Sequence, residues 1–168
     1  MRPTTNMVKE ALFNILQFGI QGRRFLDLFA GSGQIGLEAL SRGAKEAVFV
    51  DSSRDAVRVI QKNIAAAGFQ GQCRVVSAGF ESFLRAERGR FDVAFLDPPY
   101  GAGLLAEALE LTARLMAPGG GIVCEHGGRE ETPPQAGAFQ KQKTYRYGRT
   151  TLSLYRAREE DGEREEGV

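Results

Sequence analysis

Residues 24–36, Arg-Phe-Leu-Asp-Leu-Phe-Ala-Gly-Ser-Gly-Gln-Ile-Gly, join a short apolar run to a glycine-rich turn. The run from Arg24 to Phe29 predicts a buried strand, and the start of a helix is expected after the turn. The turn has the spacing G-x-G-x-x-G, at Gly31, Gly33 and Gly36. Without β-carbons such a turn lets a ligand lie against the backbone, and the helix N-terminus offers free N–H groups to an anion.

A second strand and an acidic residue follow at a suitable distance. Residues 47–50, Ala-Val-Phe-Val, predict a strand that ends in Asp51, twenty residues after Gly31. An acid at this place accepts hydrogen bonds from ribose hydroxyls in dinucleotide-binding folds. Glycine turns between strands and helices are common, so the turn alone is a weak signal. The whole succession of strand, turn, helix, strand and acid predicts an α/β, Rossmann-like domain with a ribose-containing cofactor.

A second polar corner follows another buried strand, predicted at residues 91–96. It reads Asp97-Pro98-Pro99-Tyr100. The proline rings fix φ and remove backbone donors, which leaves the Asp97 side chain and the Pro98 carbonyl as neighbouring acceptors. Two acceptors beside the flat ring of Tyr100 suit a planar group that carries an NH2. The simpler interpretation is a proline-rich turn with an ordinary Asp and a half-buried Tyr.

Composition excludes several classes of protein. The chain has 168 residues with 42% hydrophobic and 26% charged, typical of one soluble domain. It has no apolar run long enough to span a membrane and no signal-peptide region. Cys73, Cys124 and the single His126 are too few for a disulfide framework, a zinc site or histidine-based catalysis. We therefore expect a cytoplasmic protein with no metal.

The ends of the chain differ from its middle. A helix is predicted over residues 5–17, because Val8, Leu12 and Ile15 recur at helical spacing. Residues 157–168 have two basic against six acidic side chains and no apolar periodicity. These features predict a single domain over 1–156, which includes the N-terminal helix, and a disordered charged tail over 157–168.

The last two predicted strands, residues 139–146 and 150–156, are basic. Between residues 139 and 156 there are five Lys and Arg residues, no acidic residue and three interleaved Tyr residues. Cations among aromatic rings suit a phosphate backbone and unstacked bases. Edge strands also use Lys and Arg to prevent aggregation, so RNA binding by Arg146 and Arg149 is one of two interpretations.

Four stretches together resemble a known family: Asp27–Gly33, Gly36–Gly43, Asp97–Tyr100, and Arg2–Thr5 ahead of Val8–Asn14. They are similar to the RsmD family, the bacterial 16S ribosomal-RNA guanine-N2 methyltransferases that use S-adenosylmethionine. The similarity covers residues 2 to about 156. The corner at Asp97 occurs in many amino-group methyltransferases, whereas its combination with the Arg-Pro-Thr-Thr opening is much narrower.

The resemblance implies the class I S-adenosylmethionine-dependent methyltransferase fold, a seven-stranded, mostly parallel sheet with an antiparallel last strand. It implies action on ribosomal RNA or a small-subunit assembly intermediate, and we expect a monomer. By the resemblance Asp97 with Tyr100 would hold the target base, and with Pro98 these are the residues expected in catalysis. The residues expected to bind RNA are Arg2, which is free to meet an anion, and Arg146 and Arg149 of the basic strands. The residues implied in binding S-adenosylmethionine are Asp27, Phe29, Gly31, Gly33, Gly36, Asp51, Ser52, Phe80 and Asp97.

Three other functions remain compatible with the residues. The glycine turn and Asp51 also fit a nicotinamide-dependent oxidoreductase, although the chain has no second substrate domain and no evident acid for hydride transfer. The corner at Asp97 would equally serve a methyltransferase for a DNA adenine or a protein glutamine. A non-catalytic RNA-binding module is the third alternative.

Overall fold

The computed structural model describes residues 5–16, 19–99 and 103–157 of the chain. Arg2, Tyr100 and the predicted tail beyond Ala157 lie outside the described residues. In chain order the elements are α1 (Asn6–Leu16), β1 (Arg24–Leu28), α2 (Gln34–Ser41), β2 (Glu46–Asp51), α3 (Arg54–Ala67), a 3-10 turn (Gln70–Gln72), β3 (Cys73–Ser77), α4 (Phe80–Ala86), β4 (Phe91–Leu96), α5 (Leu105–Ala113), β5 (Met116–Gly127), β6 (Gln135–Ala136), β7 (Phe139–Tyr147) and β8 (Thr150–Ala157).

The strands form one sheet in the order β3-β2-β1-β4-β5-β8-β7-β6. The first five strands are parallel to one another. The last strand, β8, lies antiparallel between β5 and β7, as expected from the sequence. Because β7 is antiparallel to β8, it runs in the direction of β5. Its carboxyl end therefore reaches the same edge of the sheet as the carboxyl ends of β1 to β5.

The described sheet has eight strands where seven were expected. The additional strand is the two-residue β6, which pairs with the first residues of β7. It lies within residues 126–138, which by composition are a polar, proline-containing connection. A hydrogen bond from the Lys141 N–H to the Pro134 carbonyl, 2.8 Å, continues this pairing. The short strand is a local hairpin and does not alter the order of the other seven.

The prediction was wrong about where the fifth helix ends and the fifth strand begins. The apolar spacing of residues 104–116 predicts a helix that Pro118–Gly120 would end, and the apolar run over 121–124 predicts the next strand. Instead α5 ends at Ala113, and β5 already pairs with β4 at Met116 before an irregularity in the register. A β-carbon at Gly120 would lie 2.8 Å from the Asp92 carbonyl, so glycine lets the two strands approach at this irregularity.

The sheet is covered on both faces. Helices α1, α2 and α3 pack on one face and α4 and α5 on the other. For example, α1 buries Val8, Leu12, Phe13 and Leu16 against the sheet. Each such side chain stabilises the fold by on the order of 1.5–3 kcal/mol. Both faces of the central strands are thereby removed from water, and polar groups concentrate at the carboxyl edge.

Candidate active site

The candidate site lies where the order of the strands reverses. The chain passes from β1 to β2 and β3 on one side, and β4 and β5 lie on the other side of β1. In open α/β sheets ligands bind outside the carboxyl ends of the strands at this switch point. Asp27 is in β1, Asp51 ends β2, and Asp97 directly follows β4. The fold therefore collects three predicted site acids on adjacent strands.

The turn after β1 has an unusual backbone. Phe29, Gly31 and Gly33 have φ values of 63°, 61° and 82°, all in the left-handed region. Phe29 is the one non-glycine residue with positive φ in the described part of the chain. Such a conformation costs a side-chain-bearing residue on the order of 1–3 kcal/mol and is concentrated at functional sites. The ring of Phe29 packs against that of Phe80, with centroids 5.4 Å apart.

Asp51 fixes this turn from the neighbouring strand. Its Oδ2 accepts a hydrogen bond from the Gly31 N–H, and its Oδ1 accepts one from the Ser53 N–H, both 2.9 Å. Sequence reasoning missed this second role, because only the spacing from Gly31 to Asp51 hinted at a contact. Each carboxylate oxygen has a second lone pair that can accept a hydroxyl. The exposed Ser52 lies beside it at the end of β2.

Asp27 is buried beneath the glycine turn, with 1% of its surface exposed. Its Oδ2 accepts a hydrogen bond of 2.9 Å from the Gly36 N–H, and its neighbours across the sheet are Phe49 and Phe95. Burial raises the pKa of Asp27 from 3.8 to about 8; the hydrogen bond from Gly36 opposes this rise and the charge of Asp51 adds to it. A cation close to this carboxyl group would favour its ionised form.

The two later glycines of the turn are packing residues. A β-carbon at Gly36 would lie 2.7 Å from Cζ of the Phe49 ring, and one at Gly33 would lie 3.3 Å from side-chain atoms of Ile60 and of Phe49. Both neighbours are buried and have little freedom to move. Gly36 therefore lets α2 approach β2 closely and at the same time donates its N–H to Asp27.

The corner after β4 begins one residue beyond the pairing of Leu96 with Leu28. Asp97 is half-buried, Pro98 is buried and Pro99 is exposed. Asp97 thus lies beside the start of the turn after β1. Tyr100, the predicted aromatic partner of this corner, lies outside the described residues.

The basic hairpin of β7 and β8 reaches the same edge of the sheet. Arg146 and Arg149 are exposed near the turn that joins these strands. Lys143 lies over the ring of Tyr145, with its ammonium 5.2 Å from the ring centroid. The structure brings Arg146 and Arg149 to the carboxyl edge, although Arg2, the third predicted RNA contact, is outside the described residues.

Histidine chemistry has little scope at this edge. The Nε2 atom of His126 lies 2.8 Å from Oγ of Ser153, and both side chains are buried within the sheet. Among the described residues, no group of three or more His, Cys, Asp and Glu side chains could hold a metal ion. None of the helices described is long and apolar enough to cross a membrane.

Comparisons with known proteins identify the family of this chain. A family model described as "Conserved hypothetical protein 95" matches residues 1–156. "Putative rRNA methyltransferase YlbH" of Bacillus subtilis is 36% identical over 162 residues, which cover 94% of this chain and 88% of that protein. "Ribosomal RNA small subunit methyltransferase D" of Escherichia coli is 42% identical over 111 residues, which cover 66% of this chain and 56% of that protein.

Solved structures share the fold. "Putative methyltransferase yhhF" from Escherichia coli has a TM-score of 0.84 and 34% identity, with 95% of this chain and 89% of that chain covered. An RNA methyltransferase from Salinibacter ruber in complex with S-adenosyl-L-homocysteine has a TM-score of 0.74 at 17% identity, with 95% of each chain covered. The fold is therefore that of the class I S-adenosylmethionine-dependent methyltransferases, and the chain belongs to the RsmD family.

Proposed function

We propose that this protein transfers a methyl group from S-adenosylmethionine to the exocyclic N2 amine of a guanosine in 16S ribosomal RNA. The observation that carries the proposal is the Asp97-Pro98 corner at the end of β4, next to the turn that Asp51 holds. The names of the relatives support ribosomal RNA as the substrate class.

The residues around the turn after β1 fit S-adenosylmethionine. Asp51 keeps lone pairs for ribose hydroxyls after it has accepted the backbone N–H groups of Gly31 and Ser53. Asp27 is a buried carboxyl group suited to a cationic partner, such as the amino group of a methionine moiety. The Phe29–Phe80 pair offers an aromatic wall for an adenine ring.

S-adenosylmethionine supplies the methyl group: the new N–C bond forms with the lone pair of N2 as the S–C bond breaks, and the electrons of that bond stay on sulfur. The N2 nitrogen is a weak nucleophile because its lone pair is delocalised into the guanine ring. Asp97 and the Pro98 carbonyl accept the two amine hydrogens and favour a pyramidal nitrogen. Positioning of this kind can supply on the order of 7–11 kcal/mol of the barrier. The surplus proton then passes to Asp97 or to water.

The base must leave its stack to reach this corner, which costs a few kcal/mol. Stacking on the ring of Tyr100 would return about 1–3 kcal/mol. Arg146 and Arg149, with Arg2, would bind the phosphates that flank the extruded base. The exposure of Arg146 and Arg149 at the edge of the sheet that carries Asp97 supports this role.

The proposal is tested by incubating the protein with methyl-labelled S-adenosylmethionine and either 16S RNA or partly assembled small subunits. Digestion to nucleosides should yield labelled N2-methylguanosine from at least one substrate. Label in N6-methyladenosine or in protein would contradict the guanine assignment and favour another amine.

Calorimetry with S-adenosylhomocysteine and with NAD separates a methyltransferase from an oxidoreductase. We expect binding heat with S-adenosylhomocysteine and none with NAD.

A further inference from the structure

Glu125 lies next to the Asp97 corner at the carboxyl edge of the sheet. The strands β4 and β5 pair in parallel up to Leu96 and Cys124, so Asp97 and Glu125 are the next residues along these two strands. Neighbouring strands are about 4.8 Å apart. Two acidic side chains at this spacing can reach adjacent atoms on one edge of a single base.

Both residues belong to the same face of the sheet. Val123, two residues before Glu125, packs in the core on the side of α1 to α3, as does Leu152, the cross-strand partner of Glu125. Phe95, two residues before Asp97, packs in the same core. Because side chains alternate along a strand, Glu125 is directed to the face on which the register places Asp97.

Glu125 is a buried carboxyl group with 4% of its surface exposed, between the apolar side chains of Val123 and Leu152. The two oxygens of a carboxylate offer about four lone-pair sites, so this group can accept a hydrogen bond from a ligand in addition to any partner within the protein. The motif of the Asp97 corner does not include Glu125, and the register of β4 with β5 places it beside that corner.

We propose that Glu125 selects guanine by accepting a hydrogen bond from the guanine N1–H while the Asp97 corner holds the neighbouring 2-amino group. This inference rests on the proposed function. On guanine, N1–H and the 2-amino group are adjacent donors, and an ionised carboxyl group is purely an acceptor. In 2,6-diaminopurine the 2-amino group is retained but N1 is an acceptor. Its lone pair would face the Glu125 carboxylate, and a buried pair of acceptors is unfavourable.

The test uses small-subunit RNA in which the methylated guanosine is replaced by 2,6-diaminopurine. The wild-type protein should prefer guanosine by on the order of a hundredfold in kcat/KM, because a site built for one hydrogen-bond pattern rejects the other. In Glu125→Gln the side-chain amide can donate to N1, so activity on guanosine should fall, activity on diaminopurine should rise, and the preference should shrink at least tenfold. Glu131→Gln, an exposed substitution in the connection after β5, is the matched control and should keep the wild-type preference.

Each outcome of this experiment either supports or overturns the role proposed for Glu125. Equal wild-type activity on both bases overturns the inference even if Glu125→Gln does not fold. A wild-type preference that Glu125→Gln leaves unchanged, with S-adenosylhomocysteine binding intact, also overturns it. If Glu125→Gln is unfolded, Glu125→Asp takes its place, and retention of the full wild-type preference together with full activity contradicts the assigned contact. Absence of any transfer to guanosine by the wild type refutes the proposed function itself, which is a separate result.

Discussion

Burial raises the pKa of the Asp27 carboxyl group at the candidate site. Its pKa of about 8 means that the folded state holds a proton which the unfolded chain releases near pH 3.8. The resulting stabilisation is fully present below the unfolded pKa and is lost as the pH rises through the folded pKa. Without a ligand, the free energy of unfolding should therefore fall between pH 5 and pH 8.

The side-chain amide of Asn does not titrate, although its oxygen can still accept a hydrogen bond from the Gly36 N–H. The free energy of unfolding of Asp27→Asn should therefore depend less on pH than that of the wild type. One pKa unit corresponds to about 1.4 kcal/mol, so the wild type should lose several kcal/mol over the interval relative to the variant. Urea unfolding at pH 5.5 and 8.0 measures the difference. Asp55→Asn, at an exposed residue of α3, should follow the wild type. Equal losses in the wild type and in Asp27→Asn would contradict the explanation.

Individual site residues could be predicted from sequence to different degrees. The acids Asp27, Asp51 and Asp97 lie in or directly after strands whose apolar runs are readable, so their common edge was foreseeable. The hydrogen bonds from the Gly31 and Ser53 N–H groups to Asp51 could not be predicted, because they depend on how the turn after β1 folds over the next strand. Glu125 belongs to no sequence motif, and only the register of β4 with β5 shows that it lies beside the Asp97 corner.

At the scale of elements, the approach of α2 to β2 depends on the absence of a side chain at Gly36. Gly36→Ala should destabilise the fold by about 1–3 kcal/mol through overpacking against the Phe49 ring, which exceeds the gain in helix propensity of about 1 kcal/mol. Thermal or urea unfolding measures the loss.

A double-mutant cycle identifies the cause. In a Phe49→Leu background the ring is gone, so Gly36→Ala should cost clearly less than in the wild type. An equal cost in both backgrounds would show that the contact with Phe49 is not the reason for the glycine.

The boundaries of elements were less predictable than their existence. The strands predicted near residues 24–29, 47–50, 91–96, 139–146 and 150–156 are present, yet α5 ends at Ala113 and β5 begins at Met116, before a segment with the residue types of a helix stop. Pro118 and Gly119 have the residue types of a loop, and only the tertiary pairing of Phe91 with Met116 makes this segment part of a strand. The two-residue β6 has no periodicity and no sequence pattern could reveal it.

At the scale of the whole molecule, the basic hairpin and the acidic site meet at one edge of the sheet. Arg146→Gln with Arg149→Gln should weaken RNA binding and reduce the slope of log K against log salt by about 1.4–1.8, as expected for two lost phosphate contacts. Binding titrations at several salt concentrations measure this slope, and S-adenosylhomocysteine affinity should not change.

A control of equal charge lies at the opposite edge. Lys45→Gln with Arg88→Gln removes two exposed cations that precede β2 and β4, so RNA binding should stay close to wild type. Equal effects of the two pairs would mean that RNA contacts the protein without preference for the edge that carries Asp97.

The central claim is that Asp97 and the Pro98 carbonyl hold and activate an amine beside a separately bound cofactor. The most direct test measures the single-turnover rate of methyl transfer and S-adenosylhomocysteine affinity in Asp97→Ala and Asp97→Asn. We predict a rate loss of at least about 10²-fold in Asp97→Ala, a smaller loss in Asp97→Asn, which keeps an acceptor oxygen, and nearly unchanged affinity in both. Wild-type turnover by Asp97→Ala would contradict the account.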